Sequence, residues 1–209
     1  MSKFLKINDR MTMVDEDHLG GFIIENDPAT FTPNLWEFLV KEYSLSSVVD
    51  IGCGMGYALN VFLKFSEDSV GIDGSEFVQQ NSKLKNSIVQ HDFSKGPIPI
   101  ERTFDLAWSC EFLEHVEEKY VENYIGLFKQ SKCAAVTYAD VGQQGHYHVN
   151  CQNKDYWVEL FESHGLAFQE EETAKLREVA HKDALLYNPQ YKDNHFYNRG
   201  LFFKNEKLS

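Results

Sequence analysis

The chain of 209 residues is long enough for one sizeable core, and 43% hydrophobic with 25% charged residues is the composition of a soluble globular protein. No run approaches the ~18 apolar residues of a membrane span, and "MSKFLKINDRMTMVDEDH" lacks a signal peptide's apolar block, so neither membrane insertion nor secretion is expected. The formal charge of −12, with no basic stripe to offset it, disfavours nucleic-acid partners because such a surface repels phosphate backbones.

Residues 1–31 read as a polar amino-terminal arm, with Gly20-Gly21 and Asp27-Pro28 as turn signals. Phe22, Phe31 and Trp36 would let it close over a site as a lid; a poorly ordered terminus is the bland alternative. "TPNLWEFLVKEY" (32–43) predicts a helix with Thr32 as N-cap, Pro33 in the first helical position, and Leu35, Trp36, Leu39 and Val40 at helical spacing. Short apolar runs then alternate with helix-length segments. The runs "SVVDIG" (47–52), "SVGID" (69–73), "SIVQHD" (87–92), "FDLAWS" (104–109) and "CAAVTYA" (133–139) predict strands. "YALNVFLKFS" (57–66) and "EKYVENYIGLFKQ" (118–130) predict helices between them.

In the tail, "NKDYWVELFESHG" (153–165) predicts a helix, "LAFQEEE" (166–172) a strand, "AKLREVAHKDALLY" (174–187) a helix and "GLFFKNE" (200–206) a last strand. The expected fold is α/β over residues 32–209: a Rossmann-like, doubly wound, mostly parallel seven-stranded sheet with an antiparallel edge strand. Four cysteines (Cys53, Cys110, Cys133, Cys151) form no CxxC pair and are too few for a disulfide scaffold. Buried free thiols and a reducing, cytoplasmic setting are expected.

The first apolar run leads into "DIGCGMGY": Asp50, then Gly52, Gly54 and Gly56, then a helix. Glycines at a strand–helix junction allow a tight turn and let a ligand reach main-chain N–H groups at the helix start. The spacing is G-x-G-x-G, with Tyr57 standing where the third glycine of a dinucleotide fingerprint belongs. The second run ends in Asp73, placed to hydrogen-bond a ribose hydroxyl. The third ends in "HDF", with Asp92 as a partner for an exocyclic adenine amine.

These three motifs, in order on successive strands, resemble those of the class I S-adenosylmethionine-dependent methyltransferases over most of the chain. The resemblance implies S-adenosylmethionine as cofactor, with Asp50, Gly52, Cys53, Gly54 and Gly56 bordering its methionine and ribose parts. It implies that Asp73 takes the ribose diol, Asp92 the adenine amine and the Phe93 main chain the adenine edge. Ser109 and Cys110, after the fourth run, are implied to border the cofactor as well.

Directly after "FDLAWS" comes "CEFLEHVEEKY" (110–120). At ~100° per residue, a helix here places Glu111, Glu114 and His115 within a ~100° arc, facing the crevice beyond the strand ends where open α/β sheets bind ligands. Three readings stand. The carboxylates favour the positive end of a helix; or His115 is a general base or substrate contact; or the three side chains ligate Mg²⁺, Mn²⁺ or Zn²⁺. "EFLEH" is similar to the E-x-x-E-H motif of ubiquinone-pathway O-methyltransferases and of small-RNA 3′-terminal 2′-O-methyltransferases. In the latter a later histidine completes the metal site, which implies His148 of "GHYHVNCQNKDYW" (145–157) as a further ligand. His146, Asn150 and Trp157 of the same stretch are candidate substrate contacts; a polar loop packed on Trp157 is the bland alternative.

The expected reaction is in-line methyl transfer to an oxygen of a small polar molecule, such as a sugar, catechol-like ring or other diol. His115 and His148 would take the proton, or a divalent metal would assist. A non-catalytic S-adenosylmethionine-binding module and an RNA or protein methyltransferase are the alternatives, while the glycine spacing speaks against a nucleotide-dependent oxidoreductase.

Overall fold

Apolar runs too short for helices and buried on both sides have one economical solution, a parallel sheet between two helical layers. The computed structural model describes residues 3–7, 10–14, 16–19, 24–25 and 27–208. Gly20, Gly21 and Phe22 of the expected lid lie outside them. The arm contributes a hairpin, β1 (Lys3–Ile7) paired antiparallel with β2 (Arg10–Val14). A separate sheet contains β3 (Val48–Ile51), β4 (Val70–Asp73), β5 (Ile88–Gln90), β6 (Phe104–Ser109), β7 (Ser131–Val136), β8 (Leu166–Phe168) and β9 (Leu201–Asn205). Its order is β5-β4-β3-β6-β7-β9-β8. Neighbours from β5 to β7 are parallel, and β9 is antiparallel to both β7 and β8, one place in from the edge. This is the doubly wound, mostly parallel α/β sheet that the alternation of runs predicts.

The helices are α1 (Pro33–Glu42), α2 (Tyr57–Phe65), α3 (Glu76–Asn81), α4 (Val121–Lys129), α5 (Lys154–Ser163), α6 (Glu170–Tyr187) and α7 (His195–Arg199). Residues of α1, α2, α6 and α7 share one core cluster, and those of α4 and α5 share another. Strand alternation sorts side chains between them. On β9, Phe203 stacks on Phe161 of α5 at 4.5 Å, while its neighbour Phe202 faces the other layer and stacks on Tyr43 at 4.9 Å. In that second layer Trp108 stacks on Phe196 at 5.3 Å and meets Trp36 edge-on at 6.2 Å. Each such ring, fully buried, contributes on the order of 2–3 kcal/mol. No helix among the described residues is long and apolar enough to cross a membrane, and the four cysteines are free thiols.

Several boundaries differ from expectation for physical reasons. Thr32 precedes α1 as expected but does not cap it, and its hydroxyl is buried without a partner. The cap comes from α6: Asp183 accepts the Leu35 N–H at 3.0 Å and the Asn34 side-chain amide at 2.6 Å. "LAFQEEE" is a strand only to Phe168, because Glu170, Glu171 and Glu172 sit in the first turn of α6, where carboxylates favour the positive end of the helix. The fifth parallel strand ends at Val136 rather than at residue 139, and α4 begins at Val121 after a single 3₁₀ turn.

The strand order reverses between β3 and β6, since the chain runs outward through β4 and β5 and returns beside β3. Ligands in open α/β sheets bind beyond the carboxyl ends of the strands at such a point.

Candidate active site

A cavity of about 430 Å³ lies at this crevice, within the range of small-molecule sites. Its walls hold Asp50, Gly52, Cys53, Gly54, Asp73, Asp92 and Phe93 together with Cys110, Glu111, His115, His146, His148 and His195. The glycine loop and the acid–histidine cluster, separated in sequence, therefore border one space.

The glycine loop is built by its conformation. Gly52 has φ +74°, and a Cβ there would stand 2.7 Å from the Phe112 ring. Both facts demand glycine. The Gly54 N–H donates to Asp73 Oδ2 at 2.8 Å and the Ser75 N–H to Oδ1 at 2.9 Å, so the loop and the end of β4 are tied together. Asp50 is buried beneath them with Oδ2 unpartnered. Burial, opposed by a main-chain hydrogen bond from Leu59 and aided by the Asp73 charge, raises its carboxyl to about 8. A buried, half-satisfied acid on this wall suits a cationic group such as an amino-acid ammonium.

At the far end of β5, Asp92 caps a 3₁₀ turn, accepting the Ser94 N–H at 2.9 Å. Its second oxygen meets His18 Nε2 and Lys95 Nζ, each at 3.2 Å. Partial burial pushes this carboxyl up, but the hydrogen bonds from Ser94, His18 and Lys95 outweigh it and hold it at about 2. His18 belongs to the arm, as does Asp17, whose carbonyl accepts from His146 Nε2 at 3.0 Å. The arm thus touches both the Asp92 end and the histidine loop.

The stretch "EFLEH" is not the start of a long helix. Glu111 has φ +54°, a left-handed conformation that costs a non-glycine residue on the order of 1 kcal/mol, and a 3₁₀ turn spans Leu113–His115. The helical arc therefore breaks. Glu111 turns to His195, Oε1 to Nδ1 at 3.0 Å, whereas Glu114, His115 and His148 bring ligand atoms within 4.8 Å of one another. The His115 and His148 rings meet edge-on at 5.0 Å. Glu114 is 0% exposed, and its oxygens meet the Glu111 carboxyl but no N–H or hydroxyl donor; His115 Nδ1 lacks a partner as well. Burial, then the Glu111 charge, pushes the Glu114 carboxyl well up, and burial brings His115 down to about 4, so this imidazole is neutral at pH 7. Unmade bonds to buried polar atoms cost about 1–3 kcal/mol each. Two imidazoles and a carboxylate with orphaned donor atoms form a set that fits a divalent cation.

Other expected site residues lie elsewhere. Ser109 is buried, its hydroxyl donating to the Ile51 carbonyl at 2.9 Å, and Cys110 takes its place on the wall. Gly56 closes the turn at the start of α2 with φ +86°. Trp157 is fully buried in the α4–α5 layer, so it is not a substrate contact. Asn150 is buried behind the cavity, its N–H donating to the Glu114 carbonyl at 3.1 Å. His18 and His195 were not singled out in the sequence; nothing in their local context marks them, since the partners Asp92 and Glu111 are remote.

Residues 49–130 match a family model described as a methyltransferase domain. No curated protein sequence matches the chain. Among solved structures, the chain is similar to a TehB-like S-adenosylmethionine-dependent methyltransferase from Corynebacterium glutamicum, with TM-score 0.58 and 16% identity over 83% of this chain and 88% of that one. It is similar to an S-adenosylmethionine-dependent methyltransferase from Clostridium acetobutylicum, with TM-score 0.53 and 11% identity over 68% and 83% of the two chains. The methyltransferase domain of bacterial CtHen1 gives TM-score 0.50 and 17% identity over 63% and 83%. At these identities the structures speak for the fold. Over residues 49–130 the chain thus matches a methyltransferase domain, and its sheet order and loop geometry are those of the class I S-adenosylmethionine-dependent methyltransferase fold. The protein is an enzyme, and S-adenosylmethionine is its cofactor.

Proposed function

We propose that this enzyme methylates a hydroxyl oxygen of a small polar molecule, with a divalent cation held by Glu114, His115 and His148. The observation that carries this reading is the Glu114 carboxyl, wholly buried against Glu111, with no N–H or hydroxyl donor to either oxygen and two imidazoles beside it. A set richer in nitrogen than oxygen suits Mn²⁺ or Zn²⁺ better than Mg²⁺. When bound, the cofactor supplies an electrophilic sulfonium methyl and the cation lowers the pKa of a hydroxyl beside it.

The chain's own residues orient and exclude. Asp73 and Asp92 offer carboxylates to the ribose and adenine groups, Gly52 and Gly54 allow close approach of the backbone, and Asp50 faces the ammonium end. His146 and Cys110 border the acceptor. His115, neutral by burial, is free to hold the cation. The arm of residues 1–31 serves as a lid, through His18 on Asp92 and Asp17 on His146.

A small acceptor follows from the cavity's volume and from its walls, which among the described residues carry no lysine or arginine to hold a phosphate chain. The four free thiols agree with a cytoplasmic setting.

Methyl-labelled cofactor offered with catechol, adenosine and glucose, in Mn²⁺ or EDTA, tests this. Label should move to a hydroxyl acceptor in Mn²⁺ and be lost in EDTA and in Glu114→Ala. Transfer that survives both, or that appears only on RNA or protein, overturns the reading.

A further inference from the structure

One contact between the amino-terminal arm and the sheet accounts for a residue that the sheet itself does not. Gly74 follows Asp73 at the end of β4, yet its backbone is not left-handed, so no turn demands a glycine there. Of the three atoms nearest to a Cβ built at this position, the His91 carbonyl oxygen and Asp92 Cα stand at 3.4 and 3.6 Å, ordinary packing distances. Only the third, Cδ2 of Leu19 on the arm, would collide with it. Gly74 is therefore a socket for Leu19. We propose that Leu19, seated on Gly74, is a cofactor-binding residue that covers the face of the adenine base whose edge Asp92 receives. The inference rests on the reading that the nucleoside lies against Asp73 and Asp92, and it names the side chain of the arm that touches the base.

The seat is held from both sides. A 3₁₀ turn spans Asp17–Leu19, and the Leu19 N–H donates to the Glu16 carbonyl at 2.9 Å. On one side His18 Nε2 meets Asp92 Oδ2 at 3.2 Å and Ser94 Oγ at 3.4 Å, just past the end of β5. On the other the Asp17 carbonyl accepts from His146 Nε2 at 3.0 Å. Leu19 thus has a fixed place over Gly74, with His18 as its anchor. Both residues line the cavity together with Asp73, Gly74 and Asp92. The cavity keeps its volume of about 430 Å³ with Leu19 in place, so the side chain borders the space instead of filling it.

The chemistry gives the contact a purpose. An adenine base has a polar edge and two apolar faces, and sites for such ligands set a few polar groups among mostly hydrophobic walls. Asp73 and Asp92 supply the polar groups at this end, but Gly74 beside them has no side chain with which to cover a face. Leu19 supplies that cover from outside the matched residues 49–130 and excludes water from the base. Cofactor exchange then requires Leu19 to leave its socket.

The test is calorimetry on the whole protein with S-adenosylhomocysteine and with S-ribosylhomocysteine, which lacks the base, the weaker ligand being read by competition. Each variant is first shown by its melt to be folded. Leu19→Ala should weaken S-adenosylhomocysteine about tenfold, the value of roughly two buried methylenes, and leave S-ribosylhomocysteine within about twofold. Leu19→Met keeps the apolar reach and should stay within about threefold of wild type for both ligands. Gly74→Ala should act as Leu19→Ala does, by unseating the side chain. The Leu19→Ala/Gly74→Ala double variant should then bind no more weakly than Leu19→Ala alone. A Leu19→Ala variant that binds S-adenosylhomocysteine as tightly as wild type overturns the inference, and so does one that binds it more tightly, since Leu19 would then occupy the base's own place. Equal losses for the two ligands overturn it as well, because they mark a structural support and not a contact with the base. A further loss of about tenfold in the double variant would assign Gly74 to the cofactor instead of to Leu19, with the same result. Asp92→Ala separates the inference from the reading beneath it. A loss there confined to S-adenosylhomocysteine, with none in Leu19→Ala, sinks the inference alone. No such loss in Asp92→Ala removes the base from this end of the cavity, and both fall. Should Leu19→Ala fail to fold, Gly74→Ala decides in its place.

Discussion

The main-chain carbonyl of Glu114 accepts the N–H of Val149 at 2.9 Å. This bond, with a second from Asn150 at 3.1 Å, clamps the "GHYHVN" loop against the "LEH" turn and is why His148 arrives beside His115. The loop's approach has a second requirement at Gly145, where any side chain would collide with the His148 imidazole.

Gly145→Ala should therefore push His148 out of place while leaving the cofactor walls intact. The expected result is a loss of Mn²⁺ affinity of about 10–100-fold, the size seen when groups supporting a metal ligand are removed. S-adenosylhomocysteine affinity should stay within about twofold. Equal losses of both would mean that the loop is a general structural support.

Glu114→Ala removes a buried carboxyl that no N–H or hydroxyl donor satisfies and that stands against the Glu111 charge, so the metal-free variant should melt no lower than wild type. Mn²⁺ at ~100 times its dissociation constant should add about 2.7 kcal/mol to wild type and nothing to the variant. A variant that still gains from Mn²⁺ places the cation elsewhere.

Asp50 has its folded pKa raised by burial from 3.8 to about 8. Between these values the folded state holds the proton more tightly than the unfolded state, so stability falls as pH rises through the window. Asp50→Asn should abolish this contribution, making the curve of stability against pH shallower between pH 5 and 7 by up to about 1.4 kcal/mol per unit. Denaturant melts of the ligand-free proteins at several pH values read it, and parallel curves would contradict it.

Asp183 caps α1 from another helix. Asp183→Ala should cost about 1–2 kcal/mol of stability, the value of a helix cap, and Thr32→Ala much less, since the Thr32 hydroxyl bonds to nothing. Equal costs for the two would show that the capping belongs to Thr32 after all.

What the sequence made legible follows from which interactions are local. The parallel strands were readable because runs such as "FDLAWS" are buried on both faces and say so in composition alone. The cavity wall of glycines, Asp73 and Asp92 was readable because these residues stand at strand ends, positions fixed by the chain's own punctuation. The acid–histidine cluster was half legible. A helical wheel assumes regular dihedral angles, and the positive φ of Glu111, a residue with no sequence mark of it, sends that carboxylate to His195 instead. Trp157 misled because a tryptophan near a polar loop suits a pocket and a core equally, and the alternation of α5 decided for the core.

The insertion of β9 between β7 and β8 bears on how the chain is born. β7 is complete at Val136, but the strand that covers its open side starts at Leu201, and β8 pairs with β9 and with no other described strand. At a synthesis rate of roughly 5–20 residues per second, the outer edge of β7 stays bare for about 3–13 s on a ribosome. During that interval the nascent protein presents "SKCAAV" as a pairing template to its neighbours, so crowding on polysomes, more than the finished fold, sets its risk of aggregation.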